Sequence, residues 1–479
     1  MGGLWTFWHY FVYFIILTSV LTKLEHWRKL LDITIFVGVL SAFYGFAQKT
    51  NIDFFLGSGG RDRIFGTLGN PALFAGYELF IVFMSLIMLL RYIGTSKKHD
   101  LLFVTVTSII VLVSAVSGSV LWYTFSVGGI VGFTLYAFYK KNLSILYLLA
   151  FYVTSTATLM TAVRGSVLGY AVGLTVFAFL WMRYKKSRIG KLVFNTLISS
   201  AVLFVIFASL FSGSSFVKNS RYLSRITDLS IGSVTVQTRF WAWQAGLKGW
   251  SESPKTVFLG WGPENFNTPF SKYFNPKFFV GTGSETLFDR AHNMFIEILV
   301  TMGIVGFLAY INIFAALFSS LRRLSKNSDF AVYGMGFISA IIAYIIHNSF
   351  IFDTSANLIV FFTITGFISW LSLNNTNLQI EKNATNVKKP NKILTNSATI
   401  ALIIFVPWLI YKTNILPAKA NYATTRAIVR GWASDFKGAL AKYKESLSYA
   451  VPGKYEYRHR FAQYLVGGGG PSSKEKAVR

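Results

Sequence analysis

Arginine guanidinium groups hold phosphate oxygens through a planar fork of donors. A neutral imidazole takes a proton from a hydroxyl near neutral pH. Residues of these two kinds recur at four places in the sequence. Arg61-Asp62-Arg63 precedes Phe65-Gly66-Thr67-Leu68-Gly69-Asn70-Pro71. Arg164 follows Thr161-Ala162-Val163. Arg239 lies in Gln237-Thr238-Arg239-Phe240-Trp241-Ala242-Trp243. The fourth place is Asp289-Arg290-Ala291-His292-Asn293. A lone arginine at a helix mouth ordinarily snorkels to headgroups, and a lone histidine is more often structural than catalytic. Four such places in a chain with only 6 histidines point instead to one shared site, if the chain brings them together.

Other chemistries lack their residues. There is no cysteine, no His or carboxylate cluster at metal-ligand spacing, and no glycine-rich loop ending in Gly-Lys-Ser/Thr. No Asp-x-Asp pair is present to hold a divalent ion against a nucleotide sugar. Neither a metal nor a cofactor is therefore expected, and arginine is the natural grip for an anionic donor.

The elements that must carry these residues are membrane helices. Of the 479 residues, 53% are hydrophobic and only 14% charged, with a mean hydropathy of +0.49. That is too little charge to cover a soluble surface. Many apolar runs approach the ~20 residues that cross a bilayer core. A soluble enzyme, a disulfide scaffold and a disordered chain are excluded. The expected class is an all-α polytopic bundle of twelve spans, near 4–22, 30–47, 72–91, 101–117, 119–139, 143–160, 164–182, 192–211, 293–318, 331–350, 357–373 and 396–412.

The chain carries 46 Lys+Arg against 19 Asp+Glu, a net charge of +27. The excess sits between the apolar spans, which indicates membrane lipid as partner and not nucleic acid. All six odd-numbered connections are basic, with 20 Lys and Arg between them. The even connections near 118 and 351–356 have none. By the positive-inside rule the odd connections are cytoplasmic. Met1, residues 48–71, residues 212–292 and everything after about 413 then lie outside, and all four arginine-bearing places fall on that outer face.

The expected organisation is transmembrane helices over 1–211, a large outer loop over 212–292, further spans over 293–412, an outer helical tail over 413–466 and a disordered end over 467–479. Within the loop, Phe240, Trp243, Leu247 and Trp250 share a helical face, which lies either along the membrane interface or on the protein itself. In the tail, 418–466 reads as two or three short helices. Ala115–Leu121 (AVSGSVL) and Ala162–Leu168 (AVRGSVL) echo each other, with Ser117 opposite Arg164. Gly165, Gly169 and Gly173 form a small-residue stripe suited to helix packing. Glu78, in the third span, stands where an apolar residue is expected.

Four motifs in order carry a resemblance: Arg63–Pro71, Thr161–Gly165, Phe258-Leu259-Gly260-Trp261-Gly262-Pro263-Glu264-Asn265-Phe266, and Phe288–Asn293, followed by Met302-Gly303-Ile304-Val305-Gly306. From about Gly3 to Tyr411 the chain resembles the O-antigen ligase and polymerase family, and 418–466 resembles the start of a tetratricopeptide-like tail. The chain opens where such proteins have already crossed the membrane a few times, so the resemblance implies an N-terminus that is either truncated or mis-started. The resemblance implies transfer of a glycan from a polyprenyl-pyrophosphate carrier to an acceptor hydroxyl outside the bacterial cytoplasmic membrane. The acceptor is a lipid-anchored core sugar for a ligase, a growing glycan for a polymerase, or protein Ser/Thr for a protein O-oligosaccharyltransferase. A transporter of the lipid-linked glycan is the more distant alternative, disfavoured because the echo is a direct repeat and the charges lie at the outer edge.

On this reading Arg164 and Arg239 bind pyrophosphate, Arg63 or Arg290 assists, and His292 is the general base, with Asn293 beside it as an orienting residue. Asp353 either orients a base or binds acceptor sugar, or is a plain loop charge. His347-Asn348, a second His-Asn pair, is read as structural.

Overall fold

The computed structural model describes residues 4–50, 52, 55, 63–92, 98–116, 119–219, 221–227, 234–279, 287–327, 329–377, 405, 407–451 and 454–466. It is all-α, with no strand among the described residues. Most of the expected span at 396–412, Arg61 and Asp62, Ser117, and the terminal stretch 467–479 lie outside the described residues.

The chain divides into two compact units, Met1–Lys382 and Asn383–Arg479. The first unit opens with α1 (Leu4–Val20), α2 (Leu24–Ala47), α3 (Pro71–Tyr92), α4 (Lys98–Val116), α5 (Val120–Tyr139), α6 (Ser144–Met160), α7 (Arg164–Lys185) and α8 (Arg188–Phe211). Shorter helices follow: α9 (Ser215–Asn219), α10 (Arg221–Thr227), α11 (Val234–Trp250), α12 (Pro254–Leu259) and α13 (Asn267–Lys272). The unit closes with α14 (Met294–Lys326), α15 (Ala331–Asn348) and α16 (Ser355–Asn377).

Eight of the described helices are long and apolar enough to cross a membrane: α2, α3, α5, α7, α8, α14, α15 and α16. Shorter apolar stretches, Thr6–Val20, Leu102–Ala115 and Ser144–Met160, fall within α1, α4 and α6. Peripheral helices turn large apolar side chains outward. On α8 only Gly190 and Ala208 are buried, while Leu203 and Leu210 are exposed. Such a surface is stable against hydrocarbon and not against water. The protein is a multi-pass membrane protein.

At the centre stands α3, buried along most of its length and packed against α6 and α15. The small-residue stripe of α7 lies on its neighbours. A Cβ on Gly165 would sit 2.9 Å from the Phe350 ring, and one on Gly169 would sit 2.6 Å from the Ala343 carbonyl oxygen. These close approaches need residues without a side chain. Glu78 is fully buried, and neither carboxylate oxygen has a hydrogen-bond partner among the described residues.

Beyond the bundle, α11 to α13 build an apolar core of their own around Ala242, Ala245, Phe266, Phe270, Phe278 and Phe288. This loop is locked to α14 at a break in that helix. Gly303 has φ 64°, ψ −172°, so the carbonyls just before it lose their helical partners. Trp261 N–H donates to the Val300 oxygen at 3.0 Å and Gly262 N–H to the Thr301 oxygen at 2.7 Å. The two strands of backbone touch because Gly260 (φ 71°) and Gly303 carry no Cβ. A Cβ on Gly303 would lie 2.3 Å from the Phe258 carbonyl, and one on Gly260 2.3 Å from that of Thr301. The Phe258–Phe266 and Met302–Gly306 motifs are the two sides of this joint.

The face shared by Phe240, Trp243, Leu247 and Trp250 is divided in its packing. Trp243 and Trp250 pack against the loop core, whereas Phe240 and Leu247 are exposed. In the second unit three helices follow one another: α17 (Leu416–Trp432), α18 (Phe436–Ser448) and α19 (Lys454–Val466). They are held by Ala427, Ala439, Tyr443 and Tyr464.

Gly303→Ala forces a side chain into a left-handed conformation against rigid backbone. It is expected to cost at least about 2 kcal/mol, read as a lower unfolding temperature in detergent. Gly132→Ala on α5, with nothing within 4 Å of the added Cβ, is expected to leave that temperature unchanged.

Candidate functional site

The four arginine-bearing places gather at one end of the bundle. Arg63 follows α2 and precedes α3. Its loop is braced by Gln48, whose Oε1 accepts from the backbone N–H groups of Phe65 and Gly66, both at 3.1 Å, and whose Nε2 donates to the Gly66 oxygen at 3.0 Å. The Arg63 side chain reaches the tight α6–α7 turn, donating from Nε to the Thr161 oxygen at 2.7 Å. Ala162 in this turn has φ 49°. Arg164 opens α7 from the same turn and is exposed. Its Nε donates to the carbonyl of Arg225 in α10 at 2.7 Å. Burial, reinforced by the charge of Arg225, pulls the Arg63 guanidinium down to about 10.

Arg239, on the first turns of α11, donates from Nη1 to the Phe350 oxygen at 3.1 Å. Phe350 lies under Gly165, next in sequence to Arg164. The segment 350–353, between α15 and α16, is therefore a meeting point. Two residues on, the Phe352 ring stands edge-on to the His292 ring with centroids 5.4 Å apart. The Arg290 guanidinium carbon lies 5.7 Å from the centroid of the same Phe352 ring.

His292 is held in an unusual backbone conformation, φ 51°. Both neighbours are pinned. Ala291 N–H donates to Glu297 Oε2 at 2.7 Å, and the Ala291 carbonyl accepts from Trp243 Nε1 at 2.6 Å. Asn293 caps α14, its Oδ1 accepting from Phe295 and Ile296 N–H at 3.0 and 3.1 Å. The His292 ring, half-buried, also meets Phe288 edge-on at 5.4 Å. Nδ1 lies 3.2 Å from the Arg290 oxygen. A carbonyl only accepts, so that contact places the proton on Nδ1 and leaves Nε2 as the basic nitrogen.

Arg290 has a different setting from the other arginines. It is ion-paired with Glu264, and its Nη1 lies 3.6 Å from Glu297 Oε1. Its charge is matched by two carboxylates, so it braces the His292 segment against α14 and the Phe258–Phe266 loop.

Asp353 accepts from Tyr344 Oη at 2.7 Å and Asn348 Nδ2 at 3.1 Å, both on Oδ2. Its Oδ1 is covered and has no partner among the described residues. Burial pushes this carboxyl up to about 6, against the two hydrogen bonds that pull it down. His347 is fully buried, with Nδ1 2.9 Å from Ser166 Oγ.

Sequence reasoning did not name Phe350, Phe352, Arg225, Gln48 or Glu297 as parts of this site. Gln48, a polar residue ending an apolar span, was the one with a visible signal. Beside α11 lies a groove of about 460 Å³, lined by Phe240, Trp243, Gln244, Leu247, Lys248, Ser251 and Ile296.

The long apolar helices and the folded loop over one end define a polytopic membrane protein with an arginine-rich mouth. Residues 148–311 match the family model described as O-antigen ligase, so the chain carries a domain of this ligase/polymerase-type family of membrane glycosyltransferases. The matched segment contains Arg164, Arg225, Arg239, Arg290 and His292, while Arg63 and Asp353 lie outside it. No curated protein matches the chain.

Asp353 binds its proton more tightly in the fold, at about 6, than in the unfolded chain, at about 3.9. Its contribution to stability is full below pH about 4 and is lost as pH rises through about 6. The unfolding temperature of Asp353→Asn is expected to lack this decline, seen by comparing the two proteins across that pH range.

Proposed function

We propose that this protein moves a glycan from a polyprenyl-diphosphate carrier to an acceptor hydroxyl on the outer side of the bacterial cytoplasmic membrane, as an O-antigen ligase does. The observation that supports it most directly is the convergence of three arginines and one oriented imidazole on the segment 350–353 and the turn 161–164.

In this reading the acceptor oxygen attacks the anomeric carbon as His292 Nε2 takes its proton. The bond from that carbon to the diphosphate oxygen breaks, and its electron pair leaves with the diphosphate. Negative charge grows on the leaving group, and Arg164 and Arg239 stabilise it through their forked donors, with the half-buried Arg63 assisting. Arg290, matched by two carboxylates, holds the histidine segment. A base on the face opposite the carrier gives inversion at the anomeric carbon. Asn293, which caps α14 directly after the histidine, and Asp353, held by Tyr344 and Asn348, set the position of the base and of the acceptor.

The same geometry serves a polymerase or a protein O-oligosaccharyltransferase, which differ in the hydroxyl admitted. Reconstitution with a synthetic polyprenyl-diphosphoryl glycan and a panel of sugar, lipid-sugar and peptide acceptors, scored by released carrier, tests the reading and identifies the acceptor. No release with any acceptor counts against it.

His292→Ala is expected to lower transfer by at least about 100-fold while the protein remains in the membrane; wild-type rates would remove the histidine from the mechanism. Arg239→Lys is expected to fail nearly as badly as Arg239→Ala, because a point charge does not reproduce the fork. Full activity in the lysine variant would reduce Arg239 to a general positive charge.

A further inference from the structure

Arg225 lies in α10, in the loop between the eighth helix and α11. Its backbone carbonyl is the acceptor for Arg164 Nε at 2.7 Å. Arg63 Nε is bonded to the Thr161 oxygen at 2.7 Å, three residues before Arg164. Three arginines from three separate parts of the chain are thus fastened to a single turn. Neither Arg63 nor Arg225 is ion-paired among the described residues. Among the described residues Arg63 commits only Nε, and the Arg225 side chain, which is exposed, commits nothing. The Arg225 charge acts on Arg63 directly, adding to burial in weakening its hold on its proton.

Like charges such as Arg63 and Arg225, with no carboxylate partner among the described residues, repel one another. A multivalent anion between them turns that repulsion into attraction. This mouth is therefore built for more negative charge than one phosphoryl group carries.

We infer that Arg225 is a further binding residue for the carrier, closing over the second phosphoryl group of the diphosphate and so selecting diphosphate over monophosphate. The inference rests on the diphosphate reading above. The Arg164 bond goes to the main chain of Arg225, so replacing the side chain leaves the anchorage of α10 in place, and Arg225→Gln is a clean probe.

The experiment is binding of geranylgeranyl diphosphate and geranylgeranyl monophosphate to the detergent-solubilised full chain. Wild type is expected to prefer the diphosphate. Arg225→Gln is expected to weaken diphosphate binding about 10-fold and monophosphate binding less than about threefold, with Arg225→Lys in between. Diphosphate binding within twofold of wild type in Arg225→Gln overturns the inference. Equal weakening of both ligands also overturns it, leaving Arg225 as background charge. If Arg164→Gln and Arg239→Gln lose the diphosphate and Arg225→Gln does not, the inference alone fails. If wild type shows no preference and none of the three substitutions matters, the diphosphate reading fails with it.

Discussion

The segment Phe350–Asp353 is the constraint on which the proposed site depends. It is a short connection between two buried helices, and four functional parts lean on it. The Phe350 carbonyl receives Arg239, and its ring fills the space left by Gly165 beside Arg164. The Phe352 ring faces both His292 and Arg290. Asp353 is fixed by Tyr344 and Asn348 from the end of α15. Aromatic rings suit this position because they fill volume and fix orientation with few rotatable bonds. The loop carrying α11 to α13 and the bundle are registered to one another through this segment and through the joint at Gly303.

The charged groups divide into two kinds. Arg290 is neutralised by Glu264 and Glu297, and the same Glu297 holds the Ala291 amide that precedes the histidine. Such a network orients the His292 backbone and contributes little net attraction for an anion. Arg63 and Arg225 are left without acids among the described residues, and crowding them costs free energy in the empty protein. On the proposed reading, an anion bound between them offsets that cost. Strain of this sort is a common property of binding sites, which are rarely the most stable arrangement of their own residues.

The membrane helices were legible in the sequence because hydrophobic length is a one-dimensional signal. Eleven of the twelve expected spans coincide with apolar helices, eight of them long enough to cross. Arg63, Arg164, Arg239 and His292 were legible as residue types out of place in an apolar chain. Phe350 and Phe352 were not: two among the 46 phenylalanines of the chain carry no pattern, and their place comes only from what tertiary structure sets against them. Arg225 was hidden for another reason. It sits in a seven-residue helix within a loop whose path no periodicity reveals, and only its contact with Arg164 shows where it lies. Arg290 looked equivalent to the other arginines until its two carboxylate partners, 26 residues before it and 7 after it in sequence, were seen beside it.

The break in α14 bears on how related sequences are to be read. Gly260 and Gly303 meet main chain to main chain, and the bonds across them involve only amides and carbonyls. Side chains flanking the joint are free to drift over evolutionary time, while two residues with no reactive atom are not. An alignment that ranks positions by invariance is expected to place these glycines high, although what they supply is crowded geometry and no reactive atom.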